Sequence, residues 1–162
     1  MLQGMKILDL KKHYDERGFF SELIRNDWQD FFESDLPVQI SLSVSYPGMI
    51  RGWHHHTKQV DYLLVIKGAM KIVVYDDDSS SFTRGQMDEL VVNGEKLQIV
   101  RVPGHYWHGT KTLGIEPSIT VYAVSRLYDY DNPDEGRRPW NDPTIIDPRT
   151  KQPYDWNKPP HK

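Results

Sequence analysis

The strongest constraint on this chain is a series of short apolar runs separated by turn residues. The runs are Val38–Ser45, Tyr62–Ile66, Met70–Tyr75, Glu89–Val92, Leu97–Val102 and Ser118–Val124. Tyr46-Pro47-Gly48, Lys67-Gly68, Asn93-Gly94 and Pro103-Gly104 punctuate them, which are the residue types that reverse a chain. Regular strands at this spacing predict an all-β protein, and the spacing suits a double-sheet jelly roll. Asn93-Gly94 lies between two such runs and predicts a hairpin. Val38–Ser45 alternates apolar and polar residues, so one of its faces is expected to be wet. One short helix is expected near Trp28–Phe32, capped by Asn26 or Asp27. After Tyr128 the composition changes. Asp129–Lys162 carries seven of the eleven prolines and no long apolar run, which reads as an irregular arm laid over the barrel. The expected organisation is one domain over 1–162, with its core at about residues 5–128 and the arm at 129–162.

Bulk properties narrow the partners. A chain of 162 residues has room for one domain with a real core. Its net charge of -3, with no long Lys/Arg run, argues against nucleic acid as the main partner. The absence of cysteine excludes disulfides, thiolate catalysis and Cys-ligated zinc. The first residues, MLQGMKILDLKK, lack the apolar core of a signal peptide, and no window has the length to cross a bilayer. A soluble cytoplasmic protein with no membrane partner is expected. Nine tyrosines and five tryptophans suit a wide apolar interior or an aromatic-lined pocket. Asp76-Asp77-Asp78 and Ser79-Ser80-Ser81 read as a solvated loop, because the ligand spacing of the common calcium loop is missing.

Chemistry concentrates in Arg51-Gly52-Trp53-His54-His55-His56-Thr57-Lys58-Gln59-Val60-Asp61. It lies beside an apolar strand, where polar groups are costly to desolvate and usually have work to do. Strand alternation puts His54 and His56 on one face and His55 on the other. His108, in Pro103-Gly104-His105-Tyr106-Trp107-His108-Gly109, can approach from across the sheet. Two uses compete for these groups: proton transfer and metal binding.

The spacing His-x-His-x4-Asp-x6-Gly followed by a later His resembles the metal motif of the cupin superfamily, with Asp61 where that motif carries Glu. This resemblance implies a divalent metal on His54, His56, Asp61 and His108. A second resemblance covers more of the chain. Asp15-Glu16-Arg17-Gly18-Phe19-Phe20-Ser21-Glu22, Gly48-Met49-Ile50-Arg51-Gly52-Trp53-His54, Val102-Pro103-Gly104 through His108-Gly109, and Tyr130-Asp131-Asn132-Pro133-Asp134-Glu135 with Trp140-Asn141-Asp142-Pro143 resemble, in order, four segments of the dTDP-4-dehydrorhamnose 3,5-epimerase family. That family is a cupin-like jelly roll.

The epimerase resemblance implies a nucleotide-linked 4-keto-6-deoxy sugar as substrate, an enolate intermediate and no cofactor. By position it implies His54 as the base and Tyr122 as the opposing acid. Arg51 and His108 would hold the sugar or the enolate, and Tyr128 or Tyr130 would line the sugar site. Arg17 and Glu22 would contact the nucleotide across a homodimer interface, and Gln39 and Ser41 are further candidates. Two departures stand out. The family carries an enolate-stabilising Lys where this chain has Asp61. It also pairs its base with a late Asp that does not align here, leaving Asp147 and Asp155 as candidates. Sugar 3,4-ketoisomerases resemble the same Arg-Gly-x-His-x-His segment, and a sugar-binding cupin without catalysis shares the fold.

Overall fold

The computed structural model describes residues 1–158. Twelve strands and one helical turn follow one another as β1 (Lys6–Asp9), β2 (His13–Asp15), β3 (Gly18–Phe20), α1 (Gln29–Phe32), β4 (Gln39–Ser45), β5 (Ile50–His55), β6 (Val60–Lys67), β7 (Ala69–Tyr75), β8 (Met87–Asn93), β9 (Gln98–Pro103), β10 (Trp107–Leu113), β11 (Ser118–Val124) and β12 (Gly136–Arg137). Two five-stranded antiparallel sheets form the jelly roll, ordered β1-β9-β6-β11-β4 and β12-β5-β10-β7-β8, and β2 and β3 make a separate hairpin. The expected all-β jelly roll is the observed architecture.

Three apolar layers hold it. Leu63, Val65, Met70, Ile72, Val74, Val92, Val100 and Val102 fill the space between the sheets. Phe31 and Phe32 of α1 cover the outside of the first sheet over Tyr62, Leu64, Ile99 and Ala123. Trp53, Val73, Tyr75, Ile145, Tyr154 and Trp156 form the third layer, outside the second sheet and under the C-terminal arm. β6 is therefore covered on both faces, which explains why Tyr62–Ile66 reads as one continuous apolar run instead of an alternating one. Each large side chain buried in these layers contributes about 1.5–3 kcal/mol.

Two expectations need correction. The helix is a single turn with Trp28 at its N-cap and no side-chain cap; Asp27 is instead drawn into an ion pair with Arg25 at 2.7 Å. Asn93-Gly94 does not close a hairpin, because β8 belongs to the second sheet and β9 to the first. The turn carries the chain across the sandwich so closely that a Cβ on Gly94 would lie 2.5 Å from the Ile66 carbonyl oxygen. β4 alternates with one wet face, as expected, and that face is the apolar one: Ile40, Leu42 and Val44 are 61%, 69% and 45% exposed, while Ser45 is buried. Ser43 lines the cavity between the sheets and Ser45 is buried, whereas Ser41 is exposed. The arm is irregular, as expected, and carries one short strand. Gly136 and Arg137 add β12 to the edge of β5, opposite His55 and His54.

Candidate active site

The chemistry-bearing residues meet where β5 and β10 of one sheet face β6 and β11 of the other. His54 on β5 and His108 on β10 are direct cross-strand partners, with ring centroids 6.2 Å apart. Asp61 on β6 and Tyr122 on β11 belong to the opposite sheet, where Tyr122 pairs with Leu63 and Val124 with Asp61. Asp61 and Leu63 share a face, so the carboxylate lies diagonally beside the phenol. A cavity of about 310 Å3 opens between the walls, lined by Arg51, His54, His56, His108, Tyr122 and Glu135 among others. Leu63 and Met70 supply apolar lining.

Gly104 lets the second motif reach this place. A Cβ there would meet the Gln59 carbonyl oxygen at 2.2 Å and the His56 Cβ at 2.6 Å. The Pro103-Gly104 turn therefore lies directly on the His56–Gln59 segment, with the Gly104 N–H donating to Gln59 O at 3.1 Å and the His56 N–H to Gly104 O at 2.7 Å. Asp134 clamps the same segment from the arm. Its carboxylate accepts from the Thr57 N–H at 2.8 Å, the Thr57 hydroxyl at 2.6 Å, the Lys58 N–H at 2.9 Å and the Gln59 N–H at 3.2 Å. Burial acts to raise the Asp134 carboxyl, but these donors outweigh it and hold it down at about 2.

His54 faces Glu135, its Nδ1 2.8 Å from Oε1. Arg137 holds the other oxygen at 2.7 Å. Burial pushes the Glu135 carboxyl up, but Arg137 and His54 pull it below the ordinary carboxylate value, so it is ionised. An ionised carboxylate only accepts, so His54 donates from Nδ1 and its lone pair is on Nε2. Burial, and then the neighbouring His108, push the His54 imidazole below its ordinary value against the pull of Glu135, which keeps it neutral near pH 7.

Asp61 is fully buried and its carboxylate is surrounded by donors. Gln59 Nε2 donates to Oδ1 at 2.7 Å and the Tyr122 hydroxyl to Oδ2 at 2.5 Å. The Nε2 atoms of His108 and His56 stand 3.0 Å and 3.5 Å from the same Oδ2. His108 Nδ1 donates to the Tyr106 carbonyl at 2.9 Å and His56 Nδ1 to the Asp134 carbonyl. With both Nδ1 atoms so committed, two Nε2 atoms face a carboxylate. That is attractive only with a proton or another cation on at least one of them. Burial works to raise the Asp61 carboxyl, yet the two imidazoles depress it far below the ordinary range. Burial lowers the His56 imidazole, and Asp61 more than reverses this.

The other residues singled out from the sequence separate into two groups. Arg51 lines the cavity and donates to the Val44 carbonyl at 3.1 Å. His55 turns away, its ring 5.1 Å from that of Trp107, as strand alternation predicts. Gln39, Ser41, Tyr128, Tyr130, Arg17 and Glu22 do not line the cavity. Ser43 of the same strand does so in place of Ser41, and Gln39 instead accepts from the Tyr128 N–H at 2.9 Å. Tyr128 and Tyr130 pack on each other, ring centroids 5.0 Å apart. Arg17 folds back onto Asp15 at 2.5 Å, and Glu22 pairs with Arg25 at 2.6 Å. Neither late aspartate reaches His54. Asp147 is tied to Arg149 and Lys158 at 2.9 and 2.8 Å, and Asp155 is exposed. Glu135 takes that place; its only signal in the sequence was a carboxylate inside the fourth matched segment. His56, Asp61 and His108 bring their ligand atoms within 4.8 Å of one another. His54 is not part of that group.

Fold and cavity define a jelly-roll protein with an acid–base pocket between its sheets. Comparison with known proteins refines this: the chain belongs to the dTDP-4-dehydrorhamnose 3,5-epimerase family, whose model matches residues 1–148. It is 38% identical over 141 residues to the probable low-salt glycan biosynthesis epimerase Agl13 of Haloferax volcanii, covering 86% of this chain and 89% of that protein. It is also 38% identical over 145 residues to the spore coat polysaccharide biosynthesis protein SpsL of Bacillus subtilis, covering 90% and 94%. The crystal structure of dTDP-6-deoxy-D-glucose-3,5-epimerase from Legionella pneumophila in complex with dTDP-4-keto-L-rhamnose superimposes with a TM-score of 0.78 at 26% identity, covering 89% of this chain and 77% of that one. The chain is thus a sugar-nucleotide epimerase by family. No helix among the described residues is long and apolar enough to cross a membrane.

Proposed function

We propose that this enzyme epimerises a nucleotide-linked 4-keto-6-deoxy sugar through an enolate, with His54 as base and Tyr122 as acid. One observation carries the reading: a neutral imidazole with a free Nε2 and a phenol face the same cavity from opposite sheets. His54 Nε2 takes the proton from the carbon beside the ketone, and the C–H electron pair moves into the enolate. Tyr122 delivers its hydroxyl proton to that carbon from the other wall, which inverts the centre. The imidazolium and phenolate then return to their resting states by exchange with solvent. Arg51, at the cavity wall, supports the developing oxyanion. The cavity of about 310 Å3 suits the sugar ring, while Leu63 and Met70 suit its methyl group and the nucleotide lies outside.

The same proposal includes a homodimer in the cytoplasm. The outward Ile40, Leu42 and Val44, with Phe19 and Phe20 of the β2–β3 hairpin, are exposed apolar side chains of the kind a second copy covers. Arg17 and Glu22, remote from their own cavity, would then serve the nucleotide bound by the partner subunit. Tyr128 and Tyr130, with Gln39 and Ser41, are left as outer contacts of the substrate.

Incubation with a dTDP-4-keto-6-deoxy sugar in deuterium oxide tests the reaction. Proton NMR should show deuterium entering beside the ketone together with an inverted product. No exchange with any nucleotide keto-sugar would favour a sugar-binding protein without catalysis.

The His56–Asp61–His108 group supports a second reading. Two imidazoles pinned at Nδ1 by backbone carbonyls present Nε2 as metal ligands do, and with Asp61 they fit a divalent cation. Such a cation would supply positive charge to polarise the ketone. Elemental analysis of protein purified without added metal separates the readings: stoichiometric metal, lost in His56→Ala, would overturn the metal-free one.

A further inference from the structure

Asp61 occupies the position where an enolate-stabilising cation is expected from the family resemblance, and its surroundings give it a different task. The carboxylate is wholly buried and reaches no open part of the cavity. Oδ1 is taken by Gln59 at 2.7 Å. Oδ2 accepts the Tyr122 hydroxyl at 2.5 Å and faces His108 Nε2 at 3.0 Å. No comparable contact joins Asp61 to His54, whose Nδ1 is held by Glu135. The two walls thus have separate supports: Glu135 and Arg137 for the base, Asp61 with Gln59 and His108 for the phenol.

We infer that Asp61 is a positioning residue for stereochemical inversion, holding the Tyr122 hydroxyl on the wall opposite His54 so that the enolate is protonated from that side. This rests on the epimerase reading.

An enolate in this cavity has two fates. Protonation by His54 returns the original centre and leaves only isotope exchange with solvent. Protonation by Tyr122 gives the inverted centre. Asp61 touches only the second route, so weakening it should change the partition between them. A residue that merely supports the fold would slow both routes together.

The test compares wild type, Tyr122→Phe and Asp61→Asn in deuterium oxide, following deuterium incorporation and product formation by NMR. Asparagine offers one acceptor oxygen, which cannot face Gln59 and Tyr122 at once. The ratio of exchange to inversion should rise about tenfold or more in both variants, as expected for loss of a positioned acid. An Asp61→Asn enzyme whose ratio stays at the wild-type value overturns the inference, even if its total rate falls. Should that variant not fold, Gln59→Met removes the donor on Oδ1 and leaves the charge in place. A raised ratio then supports the inference, and an unchanged ratio overturns it. A wild type that neither exchanges nor inverts defeats the epimerase reading itself, which distinguishes the two failures.

Discussion

Nδ1 of His54 lies 2.8 Å from Oε1 of Glu135, a carboxylate 81 residues further along the chain. The contact fixes the tautomer of the imidazole and aims Nε2 at the cavity. Glu135 is itself held by Arg137 at 2.7 Å, and β12 places both residues by pairing Gly136 and Arg137 with His55 and His54. Glu135→Gln should therefore lower kcat by about tenfold to a hundredfold, the usual cost of losing a partner that orients a histidine, with little change in KM. Steady-state kinetics on the keto-sugar checks this.

The pH profile should carry the mark of burial. As the proposed base, His54 would work when neutral, and burial, then His108, lower it from its ordinary value of 6.5. Activity should fall as pH drops through the His54 value, so the acid limb of kcat/KM should lie below pH 6.5. Glu135 acts in the opposite sense by favouring the imidazolium. Glu135→Gln should therefore shift the acid limb to lower pH. An acid limb that moves upward in the variant would contradict the assignment.

Asp134 is a structural clamp whose contribution depends on its charge. Asp134→Ala removes the acceptor for three backbone N–H groups and one hydroxyl and should cost about 1.5–3 kcal/mol at neutral pH, the range for hydrogen bonds to a charged group. The folded carboxyl is depressed from 3.8 to about 2. Its stabilisation is complete above the unfolded value and is lost as pH falls through the folded one. Urea denaturation of both proteins should show the gap between them narrowing from about pH 4 downward.

The C-terminal arm is held by tryptophans. Trp156 is 1% exposed, packs on Trp53 with centroids 4.8 Å apart and donates to the Trp140 carbonyl at 2.9 Å. Trp156→Ala should destabilise the protein by about 3–5 kcal/mol, measured as a lower denaturation midpoint. The arm carries Glu135, so activity should fall in parallel.

The outward face of β4 predicts an assembly. Leu42 is 69% exposed between Ile40 and Val44. Leu42→Lys should leave the circular dichroism spectrum intact and shift sedimentation from dimer toward monomer, because a charge at the centre of an apolar interface is left unpaired. A wild type that sediments as a monomer would remove the dimer and the partner role of Arg17 with it.

Local pattern carried much of this fold. Ser118–Val124 is a strand with the bounds read from the sequence, and the opposite facing of His54 and His55 followed from alternation alone. The turn at Asn93-Gly94 misled because dipeptide chemistry describes the bend and not which sheet receives the next strand. In β4 alternation named two faces without saying which one is inside, and packing put Ser45 inside and Leu42 outside.

Strand period and turn chemistry, properties of near neighbours along the chain, determined the all-β class, and the family resemblance of the motifs pointed to His54, Tyr122 and Arg51. Packing decided their partners. Glu135 rather than Asp147 meets His54, and Asp61 ties Tyr122, His56 and His108 together, because two sheets and an arm bring residues 61 and 81 positions apart within hydrogen-bond reach. A carboxylate acquires its task from the donors around it, and those donors are assembled only when the sheets close.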